Sequence, residues 1–329
     1  MSNVEVDQQE TMLPGHEPPC EGLEVLEPRD VPLGGPRAMT VRRTLPQKQR
    51  SLIGAWCFAD HYGPDDVSSS GGMDVPPHPH IGLQTVSWLF TGEIEHRDTL
   101  GTHELVRPGE VNLMTGGYGI AHSEVSTPDT TTLHGAQLWV ALPEANRNAP
   151  KAFQHHAPTP LRVDGATVSV FLGSLAGDTS PVETFTPLLG ADVTVDAGAT
   201  TTLELDPAYE HGILVDSDGV TVNGHAVGPG AMAYLPVGVP TLTLRAGDRP
   251  GRVLVLGGEP FEEDIVMWWN FVGRSHEDIA TAREEWMAHS ERFGEVEGYA
   301  GDVQHLPAPA LPGVRIRPRT KPSGQTSGS

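Results

Sequence analysis

"PPHPHIGLQTVSWLFTGEIEHRD", Pro76–Asp98, joins a closely spaced pair of histidines to the first of many short strand-like runs. Its segment "QTVSWLF" is rich in β-branched and aromatic residues and is bracketed by glycine-containing turns, the signature of a short β-strand. Working outward, the same rhythm returns in "EVNLM", "AQLWVAL", "VSVFLG", "TTLEL", "GILV", "AMAYLP" and "RVLVLGG". With 38 Gly and 30 Pro punctuating 329 residues, the chain reads as all-β, a sandwich or barrel.

The length suggests two domains at the usual size of about 150 residues each. A faint internal repeat agrees: "VRPGEVNLM" around Pro108-Gly109 is echoed by "VGPGAMAYL" around Pro229-Gly230, each a Pro-Gly turn leading into a strand. The polar, Pro-bearing segment "EANRNAPKAFQHHAPTP", residues 144–160, interrupts the strand rhythm. We therefore expect an N-terminal domain over 23–150 and a C-terminal domain over 151–315. Acidic residues 1–22 and the polar, Gly/Ser-rich 316–329 read as flexible tails.

One helix is expected near 275–291, in "SHEDIATAREEWMAHSERFG". Ser275 is placed as an N-cap, acidic residues follow in the first turn, and Gly294 is a stop. Ile279, Ala282, Trp286 and Met287 form one apolar stripe, expected to pack over the barrels rather than against a partner.

Composition excludes several classes of function. Lys and Arg total 21 against 43 Asp and Glu, and the formal charge of −22 would repel a phosphate backbone, so no direct nucleic-acid binding is expected. Cys20 and Cys57 make neither a disulfide framework nor a CxxC site, which suits a reducing, cytoplasmic compartment. The N-terminus has no basic start followed by an apolar run, and stretches such as "VLVLGG" are too short to span a bilayer, so neither export nor membrane anchoring is expected.

The chemistry lies in two pairs. In a strand, residues i and i+2 point to one face, so His78 can converge with His80, and His122 with Glu124. Facing each other inside a barrel, these would supply three imidazoles and one carboxylate, a set suited to one divalent transition metal and unlike a cysteine-type structural zinc site. Two positions of a six-coordinate ion would stay open, and the remaining net charge near +1 suits a chelating anion such as an enolate. Pro76, Pro77 and Pro79 stiffen the approach to the first pair. Gly82, Gly116, Gly117 and Gly119 permit tight turns or close backbone approach.

"PPHPHIGLQTVSWLFTGEIEHRDTLGT" (76–102), followed by "RPGEVNLMTGGYGIAHSE" (107–124), closely resembles the N-terminal signature of the pirin family, a bicupin branch of the cupin superfamily. "CFADHYGPD" (57–65) and "GGEPFEEDIVMWWNFVG" (257–273) resemble pirin segments in the same order. The resemblance implies two jelly-roll β-barrels in tandem. It implies one metal in the first, iron(II) above manganese, nickel, copper, cobalt or zinc, with His78, His80, His122 and Glu124 as ligands. The glutamate that cupins usually carry after HxH is here Gln84, so the resemblance leaves Glu124 as the acidic ligand. Where many pirins have Arg, Phe, Glu and a further Arg, this chain has Ile81, Leu83, Gln84 and Tyr118. The second half offers no HxH or HxE pair and is expected to be metal-free, with His211 and His225 as ordinary core or surface residues.

Several pirins behave like quercetinases, which open the central flavonol ring with O2 and release carbon monoxide. The resemblance thus implies a dioxygenase acting on a small aromatic or enolic substrate, with Glu124 as both ligand and catalytic proton acceptor. The alternative is a metal-dependent regulatory or protein-binding pirin, and a third possibility is another metal-dependent reaction of a diketone or enol. Tyr118 is a candidate substrate contact or a rim-packing residue. His96 and Asp98 are expected as a polar strand pair with a structural role, Ser123 as facing away from His122, and His155-His156 as solvent-facing linker residues. A monomer is expected.

Overall fold

The computed structural model describes residues 11–13, 22–33 and 39–313. Cys20, nearly all of the expected N-terminal tail and the whole of 316–329 lie outside the described residues. Thr11–Leu13 is an exception within the expected tail, because it forms strand β1 and pairs antiparallel with Ile265–Trp268. Its backbone groups find partners in a sheet although its sequence surroundings are polar.

The first barrel uses β3 (Arg29–Leu33), β4 (Met39–Leu45), β5 (Trp56–Asp66), β6 (Asp74–His80), β7 (Leu83–Thr91), β8 (Ile94–Asp98), β9 (His103–Val106), β10 (Val111–Thr115), β11 (Ile120–Ser126), β12 (Thr132–Ala141) and β13 (Ala152–His156). They form a seven-stranded sheet in the order β13-β10-β7-β12-β5-β4-β3 and a four-stranded sheet in the order β6-β11-β8-β9. The second barrel repeats the plan. Its seven-stranded sheet runs from Leu161–Val163 through Gly251–Gly258 to Met232–Leu235, and its four-stranded sheet contains Thr200–Glu204 and Thr241–Arg245. The all-β, two-barrel architecture with one C-terminal helix is the one expected.

Two strands cross the expected division. β2 (Glu24–Leu26) pairs with Met232–Leu235 and so completes the second barrel's sheet. β13 pairs with β10 in the first, so His155 and His156 lie on a strand and not in a linker. His155 Nδ1 is 2.6 Å from Asn112 Oδ1. Pairing across the division is a long-range property that the polar composition of 144–160 does not report.

The seven-stranded sheets face each other and share a core that includes Trp56, Phe58, Trp88 and Trp139 from the first barrel and Phe171, Leu188, Leu254 and Leu256 from the second. Trp88 stacks on Phe171 with centroids 4.7 Å apart. Trp56 Nε1 reaches the carbonyls of Leu189 and Gly257, each at 3.2 Å. Because β7 is covered on both faces, its residues are buried from Leu83 through Leu89, the polar Gln84, Thr85 and Ser87 included. Thr200–Glu204, in contrast, alternates exposed and buried residues because its outer face meets solvent. The second barrel's core is aliphatic, with Val168, Val193, Ile213, Leu242 and Val255 among its members. His211 is buried in that half, and His225 is exposed.

After the second barrel the chain returns to the first. Helix α1 (His276–Met287) starts with a capping box: Ser275 Oγ accepts from Asp278 N, and Asp278 Oδ2 accepts from Ser275 N. Ile279, Ala282 and Trp286 are buried against Ile81, Ala121 and Phe271. Met287 departs from the expected stripe and is 40% exposed. The helix also ends before Gly294, its termination marked by His289 in the left-handed region at φ 54°. Among the described residues no helix is long and apolar enough to cross a membrane.

Candidate metal centre

β6 and β11 are antiparallel neighbours, with His122 opposite His78 and Ile120 opposite His80. Directly opposed residues share a face, so the three histidines point to one side of the sheet. All are fully buried, with ring centroids 4.4 to 5.1 Å apart and one ring nitrogen from each within 4.8 Å of the others.

The hydrogen-bond partners assign the tautomers. A carbonyl only accepts, so His78 Nδ1 donates to Pro76 O at 2.8 Å and His80 Nδ1 donates to Asn270 O at 3.2 Å. Each Nε2 is therefore a lone pair. His122 is set through a longer chain: Asp98 Oδ2 lies 3.1 Å from His96 Nε2, and His96 Nδ1 lies 3.3 Å from His122 Nδ1. If His96 carries its one hydrogen on Nε2, toward Asp98, its Nδ1 accepts from His122 Nδ1, and the third lone pair also falls on Nε2.

Those atoms converge. His80 Nε2 and His122 Nε2 are 3.0 Å apart, and buried His78 Nε2 has no hydrogen-bond partner. Three lone pairs meeting away from water repel one another, and a cation held among them relieves the conflict. Burial holds all three imidazoles well below the usual histidine range, so they are neutral donors at physiological pH. A divalent metal fits this donor set.

Asp98 anchors the chain. Burial would raise its carboxyl, but the His96 hydrogen bond and the Leu100 and Thr102 amides outweigh that effect and hold it below its ordinary value. His96 and Asp98 are thus more than a polar strand pair, since they orient a candidate ligand. Gln84, at the position where cupins usually place a glutamate, donates its amide to Thr115 Oγ1 at 3.0 Å.

Glu124 is buried on the same face, opposite His96 of β8. A register shift between His122 and Glu124 places it opposite Val75, beyond the His78–His122 rung. The group within 4.8 Å comprises the three histidines and does not include it. Burial first, and then the Glu124 and Asp60 carboxylates, push the Tyr62 hydroxyl well above its ordinary value.

Tyr118 is 50% exposed. It lines a cavity of about 310 Å³ with Ile81, Gly82, Arg147 and Arg292. The Arg292 guanidinium sits 4.3 Å from its ring centroid and donates to its carbonyl at 2.7 Å. Ser123 pairs opposite Arg97 on the alternate face.

Asn270 has no counterpart in the sequence expectations. It is fully buried in the two-residue turn between Ile265–Trp268 and Phe271–Gly273, next to Trp269 at φ 53°. A tryptophan in the left-handed region costs about 1–2 kcal/mol, and the turn aims the Asn270 carbonyl at His80. Gly82 lets this segment dock: at φ +67°, a Cβ there would come within 2.0 Å of Val272 O. A polar backbone contact between such distant segments leaves no mark on composition or spacing.

Comparison with known proteins agrees with this architecture. The Pirin family model matches residues 38–140, and the Pirin C-terminal cupin domain model matches 190–294. A Pseudomonas aeruginosa protein named "Putative quercetin 2,3-dioxygenase" is 45% identical over 291 residues, covering 88% of this chain and 91% of its own. A "Pirin-like protein" of Caulobacter vibrioides is 34% identical over 257 residues, covering 75% and 88%. Among solved structures, a quercetin 2,3-dioxygenase from Acinetobacter baumannii superposes with TM-score 0.84 at 40% identity, covering 90% of this chain and 97% of its own.

Proposed function

The chain belongs to the pirin family, and on that premise we propose that it is a metal-dependent dioxygenase that opens a flavonol or a similar enol-containing ring with O2. The observation that carries this proposal is the convergence of three buried, neutral Nε2 lone pairs from His78, His80 and His122. The likeness to a quercetin 2,3-dioxygenase at 40% identity supports the substrate class.

In this reading His78, His80 and His122 hold one divalent metal, preferably iron(II), and Glu124 completes the set. The metal, when bound, supplies open coordination positions and electron exchange for oxidation of the enolate. Glu124 accepts the proton of the substrate hydroxyl. Asp98 and His96 keep the His122 lone pair directed inward. Ile81, Trp139 and Phe271 around the histidines exclude water. Tyr118 and the cavity beside it form the outer approach, adjoining His80 through Ile81 and Gly82. Opening of the ring inserts both oxygen atoms of O2 and releases one ring carbon as carbon monoxide.

The alternative is a metal-dependent regulatory or protein-binding role. Oxygen consumption separates the two. Iron-loaded protein given quercetin should take up O2 in step with loss of flavonol absorbance, and His78→Ala or Glu124→Ala should abolish uptake. Absence of turnover with iron, manganese, nickel, copper, cobalt and zinc would discard the dioxygenase proposal.

A further inference from the structure

We propose that His61, His134 and Asp216 form a second divalent-metal site, of zinc type, at the junction of the two barrels. His61 lies on β5 and His134 on the adjacent β12, and Asp216 follows Glu210–Val215 of the second barrel. His61 Nε2 is 2.7 Å and His134 Nε2 2.5 Å from the same atom, Asp216 Oδ1. Their side chains are 1%, 11% and 6% exposed.

The site is separate from the first. Successive strand residues face opposite ways, and Tyr62 packs in the first barrel's core, so His61 points outward to the second barrel. The pairing of His61 with Ala136, a member of the inter-barrel core, agrees.

Two imidazoles crowded on one carboxylate oxygen make a lopsided hydrogen-bond arrangement. The other oxygen, Oδ2, has Ser217 Oγ at 3.5 Å. If both Nε2 atoms donate to Oδ1, His61 Nδ1 is a buried lone pair without a partner. As a ligand set the same atoms are well matched: two imidazoles and a carboxylate suit zinc and related ions, with a fourth position for water. Bonds of about 2.0 Å in a tetrahedron separate donors by about 3.3 Å, so the groups need move by less than about 1 Å.

Of the nearby cations, Arg252 faces Asp192 at 3.8 Å and stacks over Phe90, and Arg42 is turned onto the Gly63 carbonyl.

The backbone supplies a second, independent sign. The β12–β5 register shifts between Leu133 and Gly135, and the β12–β7 register shifts between His134 and Gly135. Such irregularities on both sides of one residue re-aim its side chain, and they concentrate at functional sites. The Phe90 ring walls the site edge-on to His134 at 4.8 Å.

Zinc counts test the proposal. Equilibrium dialysis of metal-stripped, full-length protein should give two zinc ions per chain, falling to one in Asp216→Asn. Zinc-soaked crystals of the unmodified protein should show anomalous density between His61, His134 and Asp216, a readout that needs no variant to fold. One zinc per chain with no such density, or two zinc ions retained in folded Asp216→Asn, would overturn it.

Discussion

His80 Nδ1 donates to the backbone carbonyl of Asn270 across 190 residues of chain, so the segment that leaves the second barrel fixes a candidate ligand in the first. The first barrel's histidines are therefore oriented by three separate devices. Pro76 is local, Asn270 is distant, and the Asp98–His96 pair lies on the neighbouring strand β8.

Removing the carboxylate from the last device should weaken metal binding while keeping the fold. Asp98→Asn is nearly isosteric, but it no longer enforces a hydrogen on His96 Nε2. Affinity for a divalent ion should drop about 10–100-fold, as for other groups that orient metal-bound histidines. Competition against a chromophoric chelator measures this, and unchanged affinity would remove the tautomer relay from the account.

The shared core makes the two barrels one unit in stability. Trp56 is fully buried and donates to carbonyls of the second barrel. Trp56→Ala should cost about 3–5 kcal/mol. Denaturant titration followed by fluorescence and circular dichroism should show one earlier transition; separate transitions for the two barrels would contradict the coupling.

A buried histidine in the second barrel sets a pH dependence. Burial lowers His211 from 6.5 to about 4, and neither ring nitrogen has a hydrogen-bond partner. Between those values the unfolded chain binds more protons than the folded one, so stability is retained above about pH 6.5 and lost as pH falls toward 4. His211→Leu should reduce this acid loss by up to roughly 3 kcal/mol. Urea unfolding at pH 7.5 and pH 4.5 measures the difference, and equal acid sensitivity in both proteins would refute it.

The legible parts of the site were those encoded locally. The i, i+2 spacing of His78 with His80 and of His122 with Glu124 puts each pair on one face, and strand pairing then brings the histidines together. The short runs between Gly and Pro likewise reported the strands, and Ser275 reported its helix. Long-range registry was not legible. The exchange of β2 and β13 between sheets, the register shift between His122 and Glu124 and the approach of Asn270 all depend on which distant strands meet. His61, His134 and Asp216 were silent for the same reason, since they share no local motif.

The most direct test of the central claim is the fate of isotopic oxygen. Iron-loaded protein turning over quercetin under 18O2 should yield a ring-opened ester carrying two 18O atoms, with one carbon monoxide per flavonol consumed, and His122→Ala should yield neither. A product without 18O, or no product from metal-replete wild-type protein, would contradict the assignment of this centre as a dioxygenase.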